Sequence, residues 1–379
     1  MNSLYIIYGF ALLNSFILSL VLTEGFRVLA LKFNILDVPQ GRKSHKTPTP
    51  LLGGAGIYLT FNALILLFFF LYQISPTIRE MIGGTSPVDF LGQGSFKKII
   101  GVSIGGGIIF LLGLIDDIFT LGAWTKLLGQ ILSASLVVFC GIKIEMFFLS
   151  HWIISYIITV GWIVLITNSL NLLDNMDGLC GGISFICAMS FFFCVQPYDE
   201  FFIRFLLMVF AGAVGGFLFH NINPARVFMG DAGSLFCGYF LSTISVIGTY
   251  HLEGTPSRVA ILAPVVILSV PLFDTFSVIY LRWRSGHSIF VGDKRHFSHR
   301  LVDLGMTPKQ AVEFIWLVGI IVGISAWFLP MLNFYQSGLV LIQVLGIYIL
   351  IVLLMNAPKG VLQNGNMTNA NRGKNGAQE

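Results

Sequence analysis

The sequence predicts an all-α polytopic integral membrane protein with about 11 transmembrane helices and its active site on the cytoplasmic face. Three observations carry that prediction. Of 379 residues, 55% are hydrophobic and 11% charged, where a soluble domain has about 25% charged. The apolar residues form eleven long runs without strand-like alternation, and backbone groups in lipid are then satisfied only by helices. Five aspartates, Asp116, Asp117, Asp174, Asp177 and Asp231, each sit beside the end of such a run, and counting crossings puts all five at one face. Carboxylates are costly near lipid unless paired, hydrated or bound to cations. The cluster therefore suggests a site for a divalent metal and a phosphate-bearing substrate.

The runs lie at about 4–23, 51–74, 99–115, 127–149, 152–168, 179–196, 201–219, 234–252, 259–281, 311–329 and 335–355. Each is long enough to cross, the third being the shortest. The first lacks a basic start and an A-x-A site, so it reads as a retained span and not a cleaved signal peptide. Gly105-Gly106-Gly107 in the third has no following Gly-Lys-Ser/Thr. It reads as close helix approach, as do Gly212 and Gly216 in the seventh. Cys180, Cys187 and Cys194 recur every seven residues, which marks one packed helix face. With no CxxC pair, neither a disulfide framework nor a zinc site is indicated. Asp274 lies inside the ninth run and needs a partner there, Arg282 or His296. Residues 75–96, rich in Gly, Ser and Pro, read as an external loop. The chain divides into one multi-pass catalytic domain, 1–355, and a polar, disordered cytoplasmic tail, 356–379.

Orientation follows from charge. The loops after runs 1, 3, 5, 7 and 9, with the C-terminal tail, hold sixteen of the 22 Lys and Arg residues, so that side is cytoplasmic. Lys97 and Lys98, adjacent on the other side, are a mild conflict. All five aspartates fall on the basic side.

Four constellations on that side carry chemistry. Asp116-Asp117, followed by Trp124-Thr125-Lys126, is a carboxylate pair in which one member could bind Mg²⁺ while the other acts as base; two solvated loop aspartates capping the next helix is the alternative. Asn171, Asp174 and Asp177 are three residues apart and share one face of a helical turn, with Gly178 allowing close backbone approach. That row suits a metal or the hydroxyls and base edge of a nucleotide. Asp231, in Met229-Gly230-Asp231-Ala232-Gly233-Ser234, stands at a helix start where backbone N–H groups also meet phosphate; simple N-capping is the alternative. The loop Arg282–Lys309 carries Arg295-His296-Phe297-Ser298-His299-Arg300, whose basic groups suit a diphosphate better than zinc; a plain positive-inside loop is the alternative. A fifth, plainer feature is the basic cluster Arg42, Lys43, His45 and Lys46 beside Asp37, which would attract an anionic lipid head group or simply fix topology.

Together these motifs resemble the polyprenyl-phosphate N-acetylhexosamine-1-phosphate transferases. The resemblance runs from about Asp37 to Gly305 and rests on four motifs in order: Asp116-Asp117 with Lys126, Asn171 to Leu179, Phe228 to Ser234, and the histidine loop. Asp37 to His45 and Asp293 to Gly305 look like the N-acetylglucosamine branch, which starts lipopolysaccharide O-antigen, enterobacterial common antigen or teichoic acid. The pentapeptide branch, with three consecutive histidines, fits less well. Ser298 stands where the GlcNAc branch tends to carry its middle histidine.

The resemblance implies that a lipid phosphate oxygen attacks the β-phosphorus of UDP-GlcNAc, giving undecaprenyl-diphospho-GlcNAc and UMP in a bacterial inner membrane, with Mg²⁺ (or Mn²⁺) as cofactor. It implies Asp116 and Asp117 as catalytic and Asp231 with Asp117 as metal ligands. Asn171, Asp174, Asp177, Lys126, His296, His299 and Arg300 would hold the nucleotide sugar, and Arg42, Lys43, His45 and Lys46 the lipid phosphate. It implies a homodimer; no nucleic-acid partner is expected. The rival from another class is a cation-coupled transporter, which would hold its charges near the bilayer midplane.

Overall fold

The computed structural model describes residues 2–38, 48–81, 95–144, 151–195, 201–248, 250, 258–286 and 295–356. Its helices are α1 (Asn2–Phe33), α2 (Gly53–Ile74), α3 (Pro76–Met81), α4 (Ser95–Phe119), α5 (Ala123–Phe139), α6 (Trp152–Leu173), α7 (Leu179–Cys194), α8 (Phe201–Asn221), α9 (Gly230–Ile247), α10 (Ala263–Ile267), α11 (Ser269–Arg284), α12 (Phe297–Asp303), α13 (Pro308–Phe328) and α14 (Phe334–Asn356). The described strands are β1 (Leu36–Asp37) and β2 (Thr49–Pro50), antiparallel, with Leu36 opposite Pro50 and Asp37 opposite Thr49.

The all-α polytopic membrane class holds. Among the described residues eight helices are long and apolar enough to cross, or nine if one bent pair counts as a span. α5 and α7 have only 17 and 16 residues. At 1.5 Å per residue they fall a little short of a hydrocarbon core about 30 Å thick. The ninth run is broken: the segment ending at Ile267 meets α11 at 69°. Pro271 has no N–H for the Ile267 carbonyl, and Cys187 Sγ lies 3.4 Å from that oxygen instead. The third run, expected to be shortest, belongs to a helix of 25 residues, because α4 continues through polar residues at both ends. Within the expected external loop, Pro76 starts the short helix α3. The tail beyond Asn356 lies outside the described residues.

α9 is the axle of the bundle, with α2, α4, α6 and α7 packed around it. Small residues set those approaches. A Cβ on Gly113 would lie 2.5 Å from Ala232 Cα, and one on Gly238 2.6 Å from Thr167 Cα. α1 lies along α8 by the same device: a Cβ on Gly212 or Gly216 would strike the Leu12 or Phe16 carbonyl. The Ser15 and Ser19 hydroxyls donate across that crossing to the Val209 and Ala213 carbonyls, each at 2.5 Å. Lipid offers no hydrophobic drive for helix association, so close packing and interhelical hydrogen bonds supply it. Gly105 and Gly106 meet Tyr239 and Phe236 on α9, and Cys180, Cys187 and Cys194 are all buried on α7. Both packing expectations hold.

Candidate active site

The helices alternate in direction, so α4, α6 and α8 bring their C-termini, and α5, α7 and α9 their N-termini, to one end of the bundle. A cavity of about 690 Å³ opens there, within the range of about 300–1,000 Å³ usual for ligand sites. Six carboxylates line it: Asp37, Asp116, Asp117, Asp174, Asp177 and Asp231. All five predicted aspartates thus converge, although up to 115 residues separate them in sequence.

Lys126, in the first turn of α5, ties two of them together. Its Nζ lies 2.6 Å from Asp116 Oδ2 and 2.7 Å from Asp231 Oδ2. Asp116 Oδ1 accepts the Leu121 amide. Asn171 Nδ2 donates to Asp231 Oδ1 at 3.0 Å and to Ser234 Oγ at 2.9 Å. α4, α5, α6 and α9 are thereby joined through one polar network at the cavity floor.

Asp117 is placed differently from its neighbour. Its two oxygens accept the backbone N–H groups of Asp231 and Ala232 at 2.7 and 3.1 Å. A carboxylate at a helix N-terminus meets unpaired N–H groups and the positive end of the dipole. The sequence reading allowed capping of the next helix; the helix capped is α9, more than a hundred residues on. Gly230 makes this possible. Its φ is +68°, and a Cβ there would lie 2.5 Å from Asp117 Oδ2.

Asp177 fastens the α8–α9 loop: its Oδ2 accepts from Asn223 Nδ2 at 2.9 Å and from the Ala225 amide at 3.1 Å. The neighbouring Gly178, at φ +77°, donates its N–H to Asn221 Oδ1 at 2.9 Å. Asp174 has no hydrogen-bond partner for its carboxyl among the described residues. Burial first, then the charges of Asp231, Asp117 and Asp177, push it up to about 8.

The histidine loop divides. His299 lines the cavity. His296 is buried behind it, its Nδ1 2.8 Å from Asp274 Oδ2, and Asp274 Oδ1 accepts the Phe297 amide at 2.6 Å. Of the two partners expected for Asp274, His296 is thus one. Arg300 is half-buried and outside the cavity lining. Arg42, Lys43, His45 and Lys46 lie outside the described residues; Asp37, paired with Thr49 across β1 and β2, and Val38 line the cavity.

Two polar contacts were not anticipated. Gln130 and Asn168 exchange amide hydrogen bonds at 2.6 and 3.2 Å, one turn below Lys126 and Asn171. Ser298 Oγ donates to Asn175 Oδ1 at 2.6 Å and ties α12 to the turn carrying Asp174 and Asp177. Gln130 and Asn168 each stand one helical turn from a predicted site residue inside an apolar run, a signal that would have found them.

Comparison with known proteins adds an independent line. The family model of glycosyl transferase family 4 matches residues 99–249, from the start of α4 to just past α9. A Bacillus subtilis (strain 168) protein named probable undecaprenyl-phosphate N-acetylglucosaminyl 1-phosphate transferase is 33% identical over 90% of this chain and 88% of its own length. A decaprenyl-phosphate N-acetylglucosaminephosphotransferase of Mycolicibacterium smegmatis is 32% identical over 82% of this chain and 79% of its own. A phospho-N-acetylmuramoyl-pentapeptide-transferase of Lactobacillus gasseri is 30% identical over 74% and 85%.

Proposed function

The chain belongs to glycosyl transferase family 4, and from that membership we propose that it transfers GlcNAc 1-phosphate from UDP-GlcNAc to undecaprenyl phosphate. The products are undecaprenyl-diphospho-GlcNAc and UMP, and the cavity faces the cytoplasm of a bacterial inner membrane. A phosphate oxygen of the lipid forms the new bond to the β-phosphorus, and the bond from that phosphorus to the oxygen leaving with UMP breaks.

One observation carries this reading. The carboxylates, Lys126 and Asn171 meet at helix ends, at one face of the bundle, where a polyprenyl phosphate held in the bilayer presents its head group. A transporter would gather them at mid-span.

Asp116 is poorly disposed to act as a strong base, since one oxygen accepts the Leu121 amide and the other holds Lys126. The reaction does not need one: a phosphate monoester has its second pKa at about 6 and is mostly ionised at neutral pH. Asp116 instead aims Lys126 at the phosphates. Asp117 fixes the main chain of Asp231. Asn171, Asp174, Asp177 and His299 take the nucleotide-sugar side, with His296 and Arg300 supporting from behind. The segment of Arg42, Lys43, His45 and Lys46 meets the lipid phosphate.

A cavity with six carboxylates admits a diphosphate only with added positive charge. Among the described residues no three His, Cys, Asp or Glu side chains converge tightly enough to form a ready metal cage. Mg²⁺ does not need one: it takes one or two protein carboxylates and completes its shell with waters and substrate phosphates. Asp231 and Asp174 fit that role, with Asp117 at their side. Bound there, Mg²⁺ would offset the charge that develops on the departing UMP.

The test is UMP release by purified protein given undecaprenyl phosphate and Mg²⁺, with UDP-GlcNAc and UDP-MurNAc-pentapeptide in parallel. UMP with UDP-GlcNAc alone, abolished by EDTA, is the expected result. Release only with the pentapeptide substrate overturns the sugar assignment, and release undiminished in EDTA overturns the metal.

A further inference from the structure

We propose that Lys126 is the resting counter-ion of the carboxylate site, and that a divalent cation gains full access to Asp231 only as Lys126 leaves it for an incoming diphosphate. The inference rests on the metal and nucleotide-sugar reading above and concerns the order in which the site fills.

Lys126 Nζ neutralises two carboxylates on different helices, Asp116 on α4 and Asp231 on α9, at 2.6 and 2.7 Å. The second Asp231 oxygen holds the Asn171 amide. Asp117 gives both oxygens to the backbone of α9. The place where a metal would meet Asp231 is therefore held by the protein's own cation. An ammonium and a divalent cation repel strongly at contact distance on one carboxylate oxygen. Either the metal binds weakly or Lys126 moves.

Lys126 is built to move. Its side chain is 26% exposed, it sits at the start of α5 beside Gly122, and lysine is a point charge on a flexible stem. A diphosphate offers it charge-assisted bonds at least as good as those it gives up. Once Lys126 turns to phosphate, Asp231 is open, and a metal there is also stabilised by the phosphate oxygens. Metal and nucleotide sugar then bind with positive coupling, and linkage makes the coupling reciprocal.

The test uses full-length protein in detergent, free Mn²⁺ followed by electron paramagnetic resonance, and no lipid acceptor. In the wild type, UDP-GlcNAc should tighten Mn²⁺ binding by about tenfold, a typical coupling between two sites, whereas uridine, which lacks the diphosphate, should not. Lys126→Gln should bind Mn²⁺ alone about tenfold more tightly than wild type, with a smaller further gain from UDP-GlcNAc than wild type shows. Lys126→Arg, which keeps the charge, should stay as weak as wild type. Equal Mn²⁺ affinity for wild type and folded Lys126→Gln overturns the proposal. So does tightening by uridine equal to that by UDP-GlcNAc, which needs no variant. UMP release assays separate the two claims. Tighter Mn²⁺ binding by Lys126→Gln, beside a wild type that transfers no sugar phosphate, upholds the counter-ion role and rejects the reaction. Normal transfer with unchanged Mn²⁺ affinity does the reverse.

Discussion

The Asp117 carboxylate holds the main chain of Asp231: its Oδ1 accepts the Asp231 amide at 2.7 Å. Its second oxygen takes the Ala232 amide, so the first turn of α9 is fixed by a residue at the end of α4. The adjacent Asp116 turns its own oxygens to Lys126 and Leu121. Two neighbours in sequence thus divide into one carboxylate that caps α9 and one that holds Lys126.

Replacing Asp117 with Ala should cost about 1–2 kcal/mol, as for a lost helix cap with its favourable dipole term. Unfolding in detergent measures this. Activity should fall in parallel, since the side chain of Asp231 follows its backbone.

Asp231→Asn should behave in the opposite way. The amide keeps the shape and can still face Asn171 and Lys126, so the unfolding temperature should move little. UMP release should fall by more than about 100-fold, the upper end for loss of a mere supporting partner at a metal site. Activity within a few fold of wild type would reject Asp231 as metal ligand.

Gly230→Ala should be damaging on two counts. A left-handed conformation costs a non-glycine residue about 1–2 kcal/mol, at a φ of +68°. The added methyl also meets Asp117 Oδ2 and the Leu51 carbonyl. Loss of activity with a lowered unfolding temperature is the expected pair of readings.

Asp174 makes stability depend on pH. Burial and neighbouring carboxylates push it up to about 8, while in the unfolded chain it titrates at about 3.9. Below the lower value both states hold the proton. Between the two values the unfolded state alone releases it, so stability falls as pH rises from about 4 to about 8 and then levels off. Asp174→Asn removes this slope. Its advantage in unfolding temperature over wild type should grow from pH 5 to pH 8 in metal-free detergent solution.

Ser298→Ala should leave the fold intact and raise the KM for UDP-GlcNAc by about fivefold, the equivalent of one hydrogen bond of about 1 kcal/mol. The bond to Asn175 joins the histidine helix to the turn of Asp174 and Asp177, so its loss loosens the nucleotide-sugar side. Steady-state kinetics check it; a change in kcat alone would count against it.

Composition and the spacing of apolar runs determined the membrane class, because helices are the form in which a continuous apolar chain satisfies its backbone in lipid. Parity brought Asp116, Asp117, Asp174, Asp177 and Asp231 to one face, because each helix reverses direction and the chain must return to the same side. Those are one-dimensional facts, and a sequence holds them. Only the tertiary structure decided that Lys126 bridges Asp116 and Asp231, that Asp117 caps α9 rather than the helix that follows it, and that His296 turns to Asp274 while His299 faces the cavity. Such choices depend on which helix ends meet and how closely their glycines let them approach. The short α5 and α7 and the break before α11 escaped for a related reason: hydropathy records which residues are apolar, not where the helical hydrogen bonds stop.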